Sequence, residues 1–136
     1  MFAGNDAKIQ FGSAFAIFLM WLLSFVPVHR AMRQTAEGFN HSNPRAQAAA
    51  LTGYGGRMYA AHADTLEHFV FLGFGLWANA AGFGNMRAAN AFALIVAIAR
   101  FLYFVAAHFD RSKLRAAMWG ISWFSILGLF ITPFAS

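Results

Sequence analysis

Residues Arg57 to Gly82 read RMYAAHADTLEHFVFLGFGLWANAAG. The segment is compatible with an apolar helix, yet its first half carries four titratable groups, His62, Asp64, Glu67 and His68. On a helix Asp64, Glu67 and His68 stand at i, i+3 and i+4 and share one face, with His62 off to its side. The run from Phe69 through Trp77 to Ala81 carries no charge. A bare charge in hydrocarbon costs roughly 3 kcal/mol or more, so in a bilayer these carboxylates must face a protein interior or a wet cavity. That alone makes them site candidates.

The bilayer is argued from the whole chain of 136 residues, which is 60% hydrophobic, 11% charged and 18% aromatic, with a mean hydropathy of +0.52. A soluble domain is about 45–50% apolar and about 25% charged. An integral membrane protein of one domain, all-α, follows. The net charge of +5 does not point to nucleic acid, because the basic residues sit in short stretches between apolar runs. The chain has no cysteine, so a sulfur nucleophile would have to arrive with a ligand.

Four spans are expected, at about 11–28, 57–82, 87–107 and 114–134, each near the roughly 20 residues a bilayer requires. The first, FGSAFAIFLMWLLSFVPV, is uncharged, and Pro27 is read as its end. A cleaved signal peptide is the competing reading. Against it stand a weakly basic start, no small-residue cleavage pattern after Pro27, and a run that is long for such a segment. Residues 29–56 form a long polar loop with one short helix expected over Pro44 to Leu51. Gly82-Phe83-Gly84-Asn85 and Asp110-Arg111-Ser112-Lys113 are the remaining breaks.

Arg30, Arg33, Arg45, Arg57, Arg111, Lys113 and Arg115 fall on one side of this topology, and Lys8 and Arg87 on the other. Seven against two places the first and third loops in the cytoplasm and both termini opposite. Arg100 and Tyr103 in span three, Arg115 at the start of span four, and Asp64 and Glu67 in span two then lie toward the cytoplasmic side. A Glu67–Arg100 pair is the expected way to bury both charges, and a purely structural clasp is the bland reading of it. Asp64, His62, Tyr103, Arg57 and Arg115 exceed what one clasp needs. Such a pocket suits a small zwitterionic or polyanionic ligand whose carboxylates take guanidinium bonds. No metal site is assigned: His62, Glu67 and His68 lack a matching Glu-x-x-His on a second helix. Ser112, Ser122 and Ser125 have no nearby base for nucleophilic catalysis. Trp119 and Trp123 are read as lipid-facing or interfacial, and Gly73-Phe74-Gly75 and Gly128 as close helix contacts.

Asn43-Pro44-Arg45, Leu51-Thr52-Gly53 and Arg57-Met58-Tyr59-Ala60-Ala61-His62-Ala63-Asp64-Thr65-Leu66-Glu67 resemble the bacterial branch of the MAPEG family, membrane-associated proteins in eicosanoid and glutathione metabolism. So do Ala99-Arg100-Phe101-Leu102-Tyr103, Asp110, Leu114-Arg115 and Trp119-Gly120, in the same order. The resemblance implies a four-helix membrane bundle in a bacterial inner membrane, assembled as a homotrimer. Its sites would lie between subunits and take glutathione as co-substrate from the cytoplasmic side. It also implies that Arg115 stabilises the glutathione thiolate for attack on a lipophilic electrophile or peroxide. Glu67, Arg100, Tyr103, Arg30 and Arg57 would hold the tripeptide, with Asp64 and His62 in the same motif.

The chain departs from the family pattern at Asp64, where Asn is usual, at Ala60, where Arg is common, and at Ala107, often Tyr. These departures motivate an alternative: a non-catalytic member serving as an accessory subunit of a larger membrane complex. A lower reading is a lipid- or quinone-binding protein.

Overall fold

The computed structural model describes residues 4–135, apart from the Phe83 side chain. It is all-helical. Helix α1 spans Gly4–Arg33, the short α2 Pro44–Ala49, α3 Gly53–Ala78, α4 Met86–His108 and α5 Ser112–Ala135, with a π-helical turn at Asn79–Phe83 extending α3. Helices α3 and α4 touch each other and both flank α1, while α5 packs on α3 and α4; among the described residues α1 and α5 do not meet. The chain therefore folds as a rhomb with α3 and α4 on its short diagonal.

Helices α1, α4 and α5 are long and apolar enough to cross a membrane. Helix α3 is as long, but it carries Arg57, Asp64 and Glu67 and does not join them on composition. Four apolar spans were expected; three meet the measure, because the residues that single out α3 are the ones that lower its hydropathy.

Pro27, expected to end α1, does not. The helix runs on to Arg33 with Pro27 inside. Its buried residues, Gln10, Ser13, Ile17, Ser24, Val28 and Met32, keep to one stripe across the proline. Continued burial of Val28 and Met32 outweighs the local cost of a proline in a helix, about 3 kcal/mol. Beyond it the loop is stitched down: Gln47 Nε2 donates to Gly38 O at 2.7 Å and its Oε1 accepts from Asn40 N at 2.9 Å. Asn43 Oδ1 caps α2 by accepting from Ala46 N, with Pro44 in the first helical turn, as the sequence predicts.

At the other end Asn79 joins α3 to α5. Its Nδ2 donates to Gly75 O and to Leu129 O, both at 2.9 Å, and its Oδ1 accepts from Thr132 Oγ1 at 2.7 Å. Gly75 lets those helices approach, since a Cβ there would come within 2.6 Å of the fully buried Leu129. Gly75→Val is expected to cost about 1–3 kcal/mol by overpacking. Unfolding in mixed micelles reads that loss, and an unchanged midpoint would show that the α3–α5 contact is loose.

Two apolar clusters form the core. Ile17, Leu72, Leu76, Ala89, Ala93, Val96, Ile126 and Leu129 fill the half toward the π turn. Val28, Met32, Ala48, Met58, Ala61, Tyr103 and Ala107 fill the half toward α2. Between the clusters each long helix places polar or aromatic side chains: Ser24 on α1, His62, Asp64, Thr65 and His68 on α3, Arg100 on α4, and Trp119, Ser122 and Trp123 on α5. A polar layer thus divides the core.

Candidate functional site

Arg100 is the centre of that layer and is fully buried. Its Nη1 donates to Asp64 Oδ2 at 2.8 Å and its Nη2 to Thr65 Oγ1 at 2.6 Å. The guanidinium carbon lies 4.1 Å from the Tyr103 ring centroid, a cation–π contact in a dry setting. Asp64 Oδ1 also accepts from Trp119 Nε1 at 3.3 Å, and Thr65 Oγ1 donates to Ala61 O at 2.7 Å. His68, also fully buried, sits 2.9 Å by Nδ1 from Asp64 O, an atom that can only accept. The proton is therefore assigned to Nδ1, and Nε2 has no partner among the described residues; the imidazole lies beside the Trp123 ring, centroids 4.3 Å apart.

Glu67 is not the partner of Arg100. It is exposed and makes no ion pair among the described residues, flanked by exposed Leu66, Val70, Phe71 and Phe74. Asp64 takes its place. The buried stripe of α3 runs Met58, Ala61, Thr65, His68, Leu72, Leu76, which puts Asp64 at its edge and Glu67 on the far side. The layer is also deeper than the sequence reading placed it. Arg100 stands three residues past the midpoint of α4, about 4.5 Å, and Asp64 and Thr65 sit at the middle of α3.

The remaining candidates divide by what holds them. His62 turns toward α1, its Nδ1 shared between Trp21 O at 2.9 Å and Ser24 Oγ at 2.8 Å, its ring stacked on Trp21. Arg57 Nε donates to Ala107 O at 3.0 Å and lies 3.5 Å from Asp110 Oδ1, closing the α4–α5 turn where Asp110 adopts φ +56°. Trp119 and Trp123, read from the sequence as lipid-facing, line the layer with their inner edges, although Trp119 keeps an exposed outer face.

The Tyr103 hydroxyl and the charged groups of Arg115, Glu67 and Arg30 make no hydrogen bond or ion pair among the described residues. The Tyr103 ring is buried, but its hydroxyl makes no hydrogen bond among the described residues. Arg115, half-buried in the first turn of α5, is within electrostatic range of that phenol, as is Asp64. Arg30 is exposed at the end of α1, away from the layer. The sequence reading missed Thr65, although it stands one residue after Asp64 on the stripe of small and apolar residues that faces α4.

Arg57→Met should cost about 1–2 kcal/mol, from a charge-assisted bond at a helix C-terminus plus an exposed ion pair worth little. Thermal unfolding measures it. A loss no greater than that of Arg111→Met would remove Arg57 from the turn.

A helical chain with three membrane-length apolar helices and a buried arginine–carboxylate layer defines an α-helical integral membrane protein with an internal polar site. The MAPEG family's sequence profile matches residues 10–135, and the chain belongs to that family, which holds both glutathione-dependent enzymes and non-catalytic members. No curated protein and no solved structure matches the chain.

Proposed function

We propose that the chain is a membrane-bound, glutathione-dependent transferase or peroxidase-type protein acting on lipophilic electrophiles. The observation that carries the reading is a division of labour. Asp64, Thr65 and Trp119 hold the Arg100 layer rigid, while the Arg115 guanidinium and the Tyr103 hydroxyl stay free beside it. A thiol has a pKa near 8.5, and a guanidinium beside the sulfur lowers it by about 1–3 units, so that the thiolate exists at neutral pH. The thiol proton leaves to solvent, and the thiolate then forms a bond to the electrophilic carbon as the bond from that carbon to its leaving group breaks, the leaving group departing with the electron pair. Tyr103 donates to the sulfur or to a peptide carbonyl of the tripeptide.

Glu67 supports the assembly. A carboxylate on an exposed face otherwise made of Leu66, Val70, Phe71 and Phe74 is costly in lipid and requires a neighbour that supplies a cation or an amine. A four-helix bundle assembled as a homotrimer, with the glutathione amine meeting Glu67 at the junction of two subunits, satisfies it. The cytoplasmic face is then the α2 end, where Arg30, Arg33, Arg45, Arg111 and Lys113 gather.

A second reading rests on Asp64. Its carboxylate already neutralises Arg100, a guanidinium that a ligand carboxylate would otherwise engage, and Ala60 and Ala107 reach little. On that reading the chain is an accessory subunit that kept the clasp. Thermal shift of the purified protein separates the two: stabilisation by millimolar glutathione supports the first, and none, with a stoichiometric foreign partner co-purifying, supports the second.

A further inference from the structure

The end of the molecule away from this site carries a groove that the thiol chemistry does not use. It lies between the first half of α1 and the last turns of α3, encloses about 1000 Å³, and is walled by Phe11, Phe15, Leu76 and Trp77. Gly12 and Gly73 also line it, and a Cβ on either would meet nothing within 4 Å. Gly73 was expected to serve a close helix contact; unlike Gly75, it does not. The missing side chains leave the groove open.

Polar groups occur at one end only. Lys8 is exposed there and makes no ion pair among the described residues. Gln10, 3% exposed, is part of the groove wall, and its amide oxygen has no partner among the described residues. It cannot simply turn away, because its Nε2 donates to Asn90 Oδ1 at 2.7 Å while Asn90 Nδ2 donates to Asp6 Oδ1 at 2.6 Å. That chain of amides fixes Gln10 as an acceptor in want of a donor. Asp6 is the one acidic residue at this end, against Lys8 and Arg87.

We propose that this groove binds a phospholipid whose headgroup is anionic and carries hydroxyls, of the phosphatidylglycerol class. The phosphate meets Lys8, a glycerol hydroxyl donates to Gln10, and one acyl chain lies along Phe11, Phe15, Gly73 and Trp77. From Ala7 to Phe15 the groove extends about 12 Å along α1, enough for the upper part of a chain. A second copy of the protein would fill apolar walls equally well, but it would not explain a lone cation and a bare acceptor placed together at one end.

Trp77 reports on the occupant. The full chain is reconstituted in phosphatidylcholine vesicles containing a small mole fraction of lipid brominated on its acyl chains, either phosphatidylglycerol or phosphatidylcholine. Brominated phosphatidylglycerol should quench tryptophan emission with about fivefold greater apparent affinity, the worth of one lysine near an anionic headgroup. The excess should disappear in Trp77→Phe and in Gly73→Leu, which places a side chain in the groove from a position where a Cβ meets nothing within 4 Å. In Lys8→Gln the headgroup preference should vanish while general quenching persists. Equal quenching by both lipids overturns the proposal, as does an excess that survives Gly73→Leu. A change of oligomer mass in Gly73→Leu without any lipid preference would assign the groove to a second copy and overturn it too.

Discussion

Asp64→Ala should destabilise the protein by about 3–5 kcal/mol, the cost of removing one partner from a buried ion pair. Arg100 would keep its bond to Thr65 but would hold an uncompensated charge in a side chain with no exposure, with its Nε already unpartnered. Arg100→Met removes the charge itself. The double variant should therefore regain roughly 2 kcal/mol over the sum of the two single losses, since the residues share one interaction. Asp64→Asn, the residue usual in the family, keeps a neutral acceptor and should lose less. Denaturation in mixed micelles gives all four values. Strictly additive losses would mean that Asp64 and Arg100 do not interact, and a larger loss for Glu67→Ala than for Asp64→Ala would return the pairing to Glu67.

Arg115→Ala should lower glutathione transfer to a lipophilic electrophile by about 10–100-fold at pH 7, as expected if the thiol pKa rises by one to two units. The sign fixes a second readout. With the guanidinium gone the thiolate forms only as pH approaches the free thiol's range near 8.5, so the activity profile should move upward and the deficit should shrink with rising pH. Tyr103→Phe should give a smaller loss of the same kind, because it removes one hydrogen bond and no charge. A deficit that stays constant from pH 6 to pH 9 would show that Arg115 binds the tripeptide without acting on its sulfur.

Most of the architecture was legible from apolar run lengths and breaks: three of the four long helices begin or end within a few residues of charged or glycine-containing turns, and Asn43-Pro44 announced α2. Helix α1 was cut short because proline was read locally, while its continuation depends on Val28 and Met32 packing against residues far along the chain. The Arg100 partner failed for a different reason. Depth alone cannot separate Asp64 from Glu67, which are one turn apart. Direction can: at about 100° per residue Asp64 lies about 80° from the centre of the stripe marked by Met58, Ala61, Thr65, His68 and Leu72, and Glu67 about 140°. The stripe was present in the sequence as small and apolar residues at helical spacing. The commitment of Arg57 and His62 to backbone carbonyls was not, because those acceptors, Ala107 O and Trp21 O, belong to other helices and carry no side-chain signature.

The central claim is that an internally locked Arg100 layer leaves Arg115 free to meet a thiol ligand, and titration calorimetry with glutathione tests it most directly. The wild-type protein should bind with measurable heat at one site per chain, and Arg115→Ala, eluting as the same assembly and melting at the same temperature, should bind far more weakly. Equal heats for the two proteins would contradict the account.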